Sequence, residues 1–290
     1  MKNDLNSSID FRCLGEIKSK LMRRKEFLIE ISHNRSIPMY QLDRDCIQSY
    51  FERGESPARP NNIPKLMKLF FTSCFTYAPL RKYLISVSCN DSIPTASMLP
   101  SCLSKVYCES RFLSDESWYP DKIYDIAQFI QNRDVYNLNS IKFKPRMVAV
   151  LLSGSKEMSI RIKGGLNNFY SELENINNST SNEMWKYVED FSKPIKYVGP
   201  ALICVFIKDM GFTKFVKVDH HFKKEFPRLL GVEGCKERSP KEHFVLSQTI
   251  ADLLNISPFH LDHILYQWGR YKKYASTGME IETYPDVTAL

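Results

Sequence analysis

The chain of 290 residues sets 40 Lys and Arg against 33 Asp and Glu, a net charge of +7, with 43% hydrophobic and 25% charged residues. Such a composition buries a core without disulfide staples, and the longest apolar runs, 146–152 and 201–207, fall far short of the roughly 20 residues that span a bilayer. The opening MKNDLNSSID has no apolar core behind its first lysine and no small-residue cleavage site, so it does not read as a secretory signal and a cytoplasmic protein is expected.

In chain order, Leu14, Ile17, Leu21, Leu28 and Ile31 recur at helical spacing, and a helix-like segment carrying Asp43 and Asp45 follows. Residues 63–75 and 79–88 read as helices, with Tyr83–Ser88 also passing for a short strand. Behind Pro120-Asp121, the positions Ile123, Ile126, Ala127 and Ile130 predict another helix, and further helices are expected over 144–153, 156–174 and 183–192. ENINNSTSNE, 174–183, reads as a surface loop. Gly199-Pro200 is a turn that opens a helix running from Ala201 to Met210, with Gly211 as its stop. Lys214–Val218 is the second stretch that passes for a strand. Ser239-Pro240 and Ser257-Pro258 each put a capping hydroxyl before a proline at the first helical position, predicting helices over 240–254 and 258–274. The apolar stripe of the second, Leu261, Ile264, Leu265 and Trp268, predicts a core face, and residues from Ser276 onward predict a loosely held tail.

The cysteines (13, 46, 74, 89, 102, 108, 204, 235) are scattered and form no CxxC pair, so no metal or iron–sulfur cluster is expected. Basic residues bunch at 18–25, 142–146, 223–228 and 269–273, a weak pointer to a polyanionic partner.

The densest signal is VGPALICVFIKDMGFTKFVKVDHH, Val198 to His221. The first amides of the helix opened by Pro200 have no intrahelical acceptor and lie at the positive end of its dipole, where a phosphate oxygen is favoured. Asp219 follows Gly199 by twenty residues, with an apolar helix as the spacer.

On these residues the segment resembles the helix-hairpin-helix (HhH-GPD) DNA glycosylase superfamily, whose hairpin of the form Leu-Pro-Gly-Val-Gly is followed by a helix, a short loop and an aspartate. Here the hairpin is Ile195-Lys196-Tyr197-Val198-Gly199, and Asp219-His220-His221-Phe222-Lys223-Lys224 stands where many members read Asp-x-His-Val-x-Arg. Two departures matter. Tyr197 takes the place of the first hairpin glycine, and Ala201 stands where bifunctional members carry the Schiff-base lysine, so the chain should be monofunctional unless Lys196 or Lys208 substitutes.

The resemblance implies an all-α, two-lobed fold with DNA in a cleft between the lobes, built as one unit over 1–275. It implies Asp219 as the catalytic carboxylate and Lys196, Val198, Gly199, Ala201, His221 and Lys224 as contacts to the DNA backbone. Lys217 would help keep Asp219 ionised. Trp118, Tyr119, Tyr266 and Trp268 are the candidate walls of a pocket for the flipped base. The implied partner is double-stranded DNA containing a modified base, bound by a monomer, without a membrane, metal or iron–sulfur cluster, and with room for a monovalent cation at the hairpin. The substrate is either a damaged base or a hypermodified phage base such as a glucosylated hydroxymethylcytosine.

Two other readings stay open. A noncatalytic helix-hairpin-helix module would hold the DNA backbone without acting on it. An Asp-His-His phosphoesterase would use Phe215–Val218 as a strand before Asp219 and need further metal-binding aspartates, for which Asp43 and Asp45 are the only Asp-x-Asp pair. His260 and His263 form an i, i+3 pair with no evident third ligand.

Overall fold

Side-chain caps fix several helix starts in the computed structural model, which describes residues 13–37, 39, 41–74, 119–132, 144–232 and 238–275. Thr180 and Ser239 each build a capping box, the hydroxyl accepting from the amide three residues on while the glutamate there, Glu183 or Glu242, accepts from the cap amide. Removing such a cap costs about 1 kcal/mol. The helices are α1 (Leu14–His33), α2 (Gln41–Ile47) running into a π-helical turn at Gln48–Glu52, α3 (Ile63–Cys74), α4 (Pro120–Asn132), α5 (Lys144–Arg161) and α6 (Leu166–Asn177). They continue with α7 (Ser181–Ser192), α8 (Pro200–Lys208), α9 (His220–Leu229), α10 (Pro240–Leu254) and α11 (Pro258–Ala275). No strand occurs among the described residues, as an all-α chain requires.

Four boundaries differ from the sequence reading, each for a local reason. α5 runs through Ser153-Gly154-Ser155 without a break, because Gly154 serves packing: a Cβ there would come within 2.9 Å of the Phe70 ring. The expected helix over 156–174 is instead cut in two near Gly164-Gly165, where Gly165 adopts φ +90. α6 extends to Asn177 and α7 begins at Ser181, which leaves 178–180 as the loop. Lys214–Val218 is irregular, its backbone pairing with helices rather than with a strand. The expected helix at 79–88, Trp118, the tail from Ser276, and Cys89, Cys102, Cys108 and Cys235 lie outside the described residues. Cys13, Cys46, Cys74 and Cys204 are free thiols, and burial pushes the Cys74 thiol well above its ordinary range.

The chain divides into two units: Met1–Pro57 with Thr213–Leu290, and Ala58–Phe212. In the continuous unit, α8 is apolar nearly all round because it is wrapped by α3 and α7. Phe206 of α8 meets Phe70 edge-on at 5.1 Å, Phe191 at 6.1 Å and Phe169 in a stack at 6.5 Å, a cluster whose pairs each add about 0.5–1.5 kcal/mol beyond area burial. In the other unit α11 is the central helix, with α1, α9 and α10 packed on it. Its stripe Leu261, Ile264, Leu265 and Trp268 has no exposed surface, as the periodicity predicts.

Candidate functional site

The first candidate element joins α7 to α8. Ile195 and Val198 turn inward and are buried, while Lys196 and Tyr197 face solvent. Ile195 donates its amide to Ser192 O at 3.0 Å, Val198 donates to Ile195 O at 3.3 Å, and Lys196 donates to Ser153 Oγ at 2.9 Å. Between these bonds the chain reverses through Tyr197, which takes φ +61. That is the left-handed region, which costs a side-chain-bearing residue roughly 1–2 kcal/mol and which glycine enters freely. Tyr197, at the position that resembles the first glycine of the hairpin pattern, thus has its backbone in the region glycine favours. The tyrosine ring is 64% exposed.

Gly199 is the N-cap of α8 with an ordinary φ of −99, and a Cβ built on it meets nothing within 4 Å. Neither conformation nor internal packing demands glycine there. Pro200 has no amide proton, so the donors at this helix start that lack an intrahelical acceptor belong to Gly199 and Ala201. The amide of Val198 is committed to the turn. Any monovalent cation here must use hairpin carbonyls, of which that of Ile195 already accepts from Val198. Lys208, on the far end of α8, is buried, whereas Lys196 is exposed.

The second element is the 213–219 loop, and it is tightly held. Phe259 donates its amide to Thr213 O at 2.9 Å, Gln248 Nε2 donates to Lys214 O at 2.6 Å, and the buried Asp262 accepts the Lys217 amide at 3.1 Å. The loop ends at Asp219, the N-cap of α9, whose Oδ1 accepts from Phe222 N at 3.0 Å while Oδ2 meets Lys217 Nζ at 3.2 Å. Both oxygens are therefore oriented, and the side chain stays 19% exposed.

Around Asp219 the structure gathers Lys217, Tyr266 and His221. Lys217 Nζ also lies 5.2 Å from the Tyr266 ring centroid, and Arg270 donates to Tyr266 Oη at 3.0 Å while pairing with Asp43 at 3.0 Å. The His221 ring stands edge-on to Tyr266 at 5.7 Å. It packs on α11 where Gly269 leaves room: a Cβ on Gly269 would lie 2.9 Å from His221 Nδ1. Burial holds the His221 imidazole below its ordinary pKa; the Asp219 charge pulls it upward, and nearby His220, Arg270 and Lys217 push it down. The ring is thus neutral near pH 7, which suits an anchor for the aspartate loop. Lys224 is exposed on α9.

Of the aromatic pocket candidates, Tyr266 is placed beside Asp219, and Trp118 lies outside the described residues. Tyr119 is 40% exposed at the start of α4, in the other unit. Trp268 is 0% exposed, packed edge-on against Phe27 at 5.8 Å, and so is a core residue rather than a pocket wall. The reason is its register: it continues the buried stripe of α11, one position away from the face that bears Tyr266, Gly269 and Arg270. Asp262, Gln248, Gly269 and Arg270 escape a motif-based reading because they support the aspartate loop from other helices. The available signal was the i, i+4, i+8 run Asp262, Tyr266, Arg270 beside the apolar stripe.

Asp43, half of the Asp-x-Asp pair, is buried in its ion pair with Arg270. Among the described residues no three His, Cys, Asp or Glu side chains come together as a metal site, and no helix is long and apolar enough to cross a membrane. Comparison with protein-family models, curated proteins and solved structures finds no match to this chain.

Proposed function

We propose that this chain is a monofunctional DNA glycosylase of the helix-hairpin-helix kind, which hydrolyses the bond between a modified base and its deoxyribose and leaves an abasic site. The observation that carries the reading is the left-handed backbone at Tyr197, φ +61, at the position where the hairpin pattern has glycine. A chance match of letters has no reason to reproduce glycine's conformation at a position where the letter itself is tyrosine. The division into two helical units and the oriented carboxylate of Asp219 support the same reading.

In this mechanism the Gly199 and Ala201 amides take backbone phosphate oxygens, with Lys196 and Lys224 adding charge. Cleavage breaks the C1′–N bond, the electron pair leaving with the base, and positive charge builds on the sugar. The Asp219 carboxylate stabilises that cation and accepts a proton as a water oxygen bonds to C1′. Lys217, 3.2 Å from Oδ2, orients the carboxylate for this role, and His221 fixes the loop. Ala201 offers a methyl group where a Schiff base needs an amine, so the strand is left intact. A damaged base and a hypermodified phage base are the two substrate classes, corresponding to repair and to antiviral defence.

One observation favours the noncatalytic alternative: Asp219 caps α9, a structural duty that accounts for an aspartate without chemistry. The deciding experiment incubates duplexes, each with one modified base, with wild type and with Asp219→Asn, which keeps an N-cap acceptor. Nicks that need hot alkali and come from wild type alone support the glycosylase. Nicks without alkali overturn the monofunctional assignment, and binding without nicks across the panel assigns the noncatalytic module.

A further inference from the structure

Tyr197 is a side chain that the turn between α7 and α8 displays rather than buries. Its ring is the most exposed large hydrophobic group among the described residues. The display is not looseness: Ile195 and Val198 are buried on either side, their amides close the turn, and the Lys196 amide is tied to Ser153 Oγ on α5. Pro194 and Pro200 restrict the backbone at both ends. The ring therefore leaves a fixed backbone, whose left-handed conformation would cost glycine less.

Single exposed aromatic residues are common on protein surfaces, so the surroundings decide what this one does. Residues 193–201 carry two lysines, Lys193 and Lys196, both exposed, and no carboxylate. The amides of Gly199 and Ala201, just beyond the ring in the chain, have no intrahelical acceptor. Cations and donors that take phosphate, with an aromatic face beside them, are the parts with which a protein grips an open nucleic-acid strand without reading its sequence. A protein partner would be served by apolar neighbours around the ring, but Ile195 and Val198 are turned inward.

We infer that, with the hairpin holding backbone phosphates as the proposed function requires, Tyr197 is a stacking platform for one unpaired base, so that the hairpin favours single-stranded or locally opened DNA over intact duplex. In a duplex the base faces are covered by their neighbours, and a ring at the backbone meets only sugar and phosphate. An unstacked base offers a free face, and every base has one, so the platform tolerates any sequence. Tyrosine suits the task because it turns about two side-chain torsions and loses little freedom on binding. The fixed turn sets the ring in place before the strand arrives, which lowers the cost of ordering it. Extrusion of a target base opens a strand in just this way.

The test measures binding of the full chain to three fluorescent probes of equal length: a thymidine single strand, a plain duplex, and a single strand whose sugars carry no bases. Tyr197→Ala keeps a Cβ, and with it the backbone cost, but removes the ring. It should weaken binding to the thymidine strand about tenfold, leave the duplex and the base-free strand within about twofold, and leave the melting temperature near wild type. Tyr197→Phe should bind the thymidine strand as wild type does, because it keeps the aromatic face. An equal loss on all three probes, or none on the thymidine strand, overturns the stacking platform. Lys196→Gln separates that failure from failure of the hairpin assignment: it should weaken all three probes, since each carries phosphates. If it does while Tyr197→Ala has no effect, the platform alone is overturned. If neither variant changes binding, or no probe binds, the hairpin assignment falls and the platform with it.

Discussion

The 193–199 turn and the 213–219 loop are both irregular connections that lead into a capped helix, yet they are built in opposite ways. The turn has exposed side chains, spends left-handed backbone strain at Tyr197, and ends on a glycine whose Cβ space is open. The loop is secured by Gln248, Asp262 and Phe259 and ends on a carboxylate with both oxygens engaged. One presents backbone, the other presents a side chain. A backbone donor tolerates changes of neighbouring side chains provided nothing blocks its approach, whereas an oriented carboxylate needs its supports in place.

The largest test of that contrast is Asp219→Asn. Base release should fall by about 10²–10³ or more, because a neutral amide cannot stabilise the developing cation, while the cap bond to Phe222 survives and the melting temperature stays near wild type. Next, Asp262→Ala removes a buried acceptor and leaves the Lys217 amide unpaired, which should cost roughly 2–3 kcal/mol in chemical denaturation and lower activity through the displaced loop. If stability is unchanged, the loop is not held as described.

Gly199→Ala probes the other region. It should leave the melting temperature unchanged, since the new methyl group meets nothing, yet weaken duplex binding about tenfold if a phosphate comes close to this amide. Equal duplex binding by the two proteins would remove the hairpin from the interface.

A smaller effect follows from the histidines. Burial depresses His221, His243 and His260 below the ordinary imidazole value of about 6.5, so the unfolded chain takes up protons before the folded one does. Their contribution to stability is complete above about pH 6.5 and is lost as the pH falls toward their folded values. Thermal melts from pH 7.5 to 5 should show that decline, and His243→Gln should flatten it. The smallest expected change is that of Tyr197→Gly. Relief of about 1 kcal/mol of backbone strain is offset by a similar gain in unfolded-state entropy, so stability should shift by less than about 1 kcal/mol. Tyr197→Val, which puts a β-branched residue at the same φ, should destabilise by more.

How much of this was legible in the amino-acid order depends on the range of the interaction concerned. The helix starts at Thr180 and Ser239 are local, set by a hydroxyl and a glutamate three residues away, although only the one at Ser239 was read as a cap. Ser153-Gly154-Ser155 misled because a glycine that breaks a helix and a glycine that admits a neighbouring ring look alike until Phe70 is in place. Trp268 is the opposite case: its place in the stripe Leu261, Ile264, Leu265 and Trp268 already marked it as core, and only its aromatic character made it a pocket candidate as well.

By itself the sequence determined the helical periodicity, the capping signals, the Gly199-to-Asp219 spacing and the absence of a lysine at 201, since each depends on residues within a few turns of one another. The tertiary structure alone decided that Tyr197 would take a left-handed backbone with its ring exposed, and that Asp262 and Gln248 would fix the aspartate loop. Those features arise between helices far apart in the chain. Their energies come from burial and from charges meeting at low dielectric, which exist only after the chain has folded.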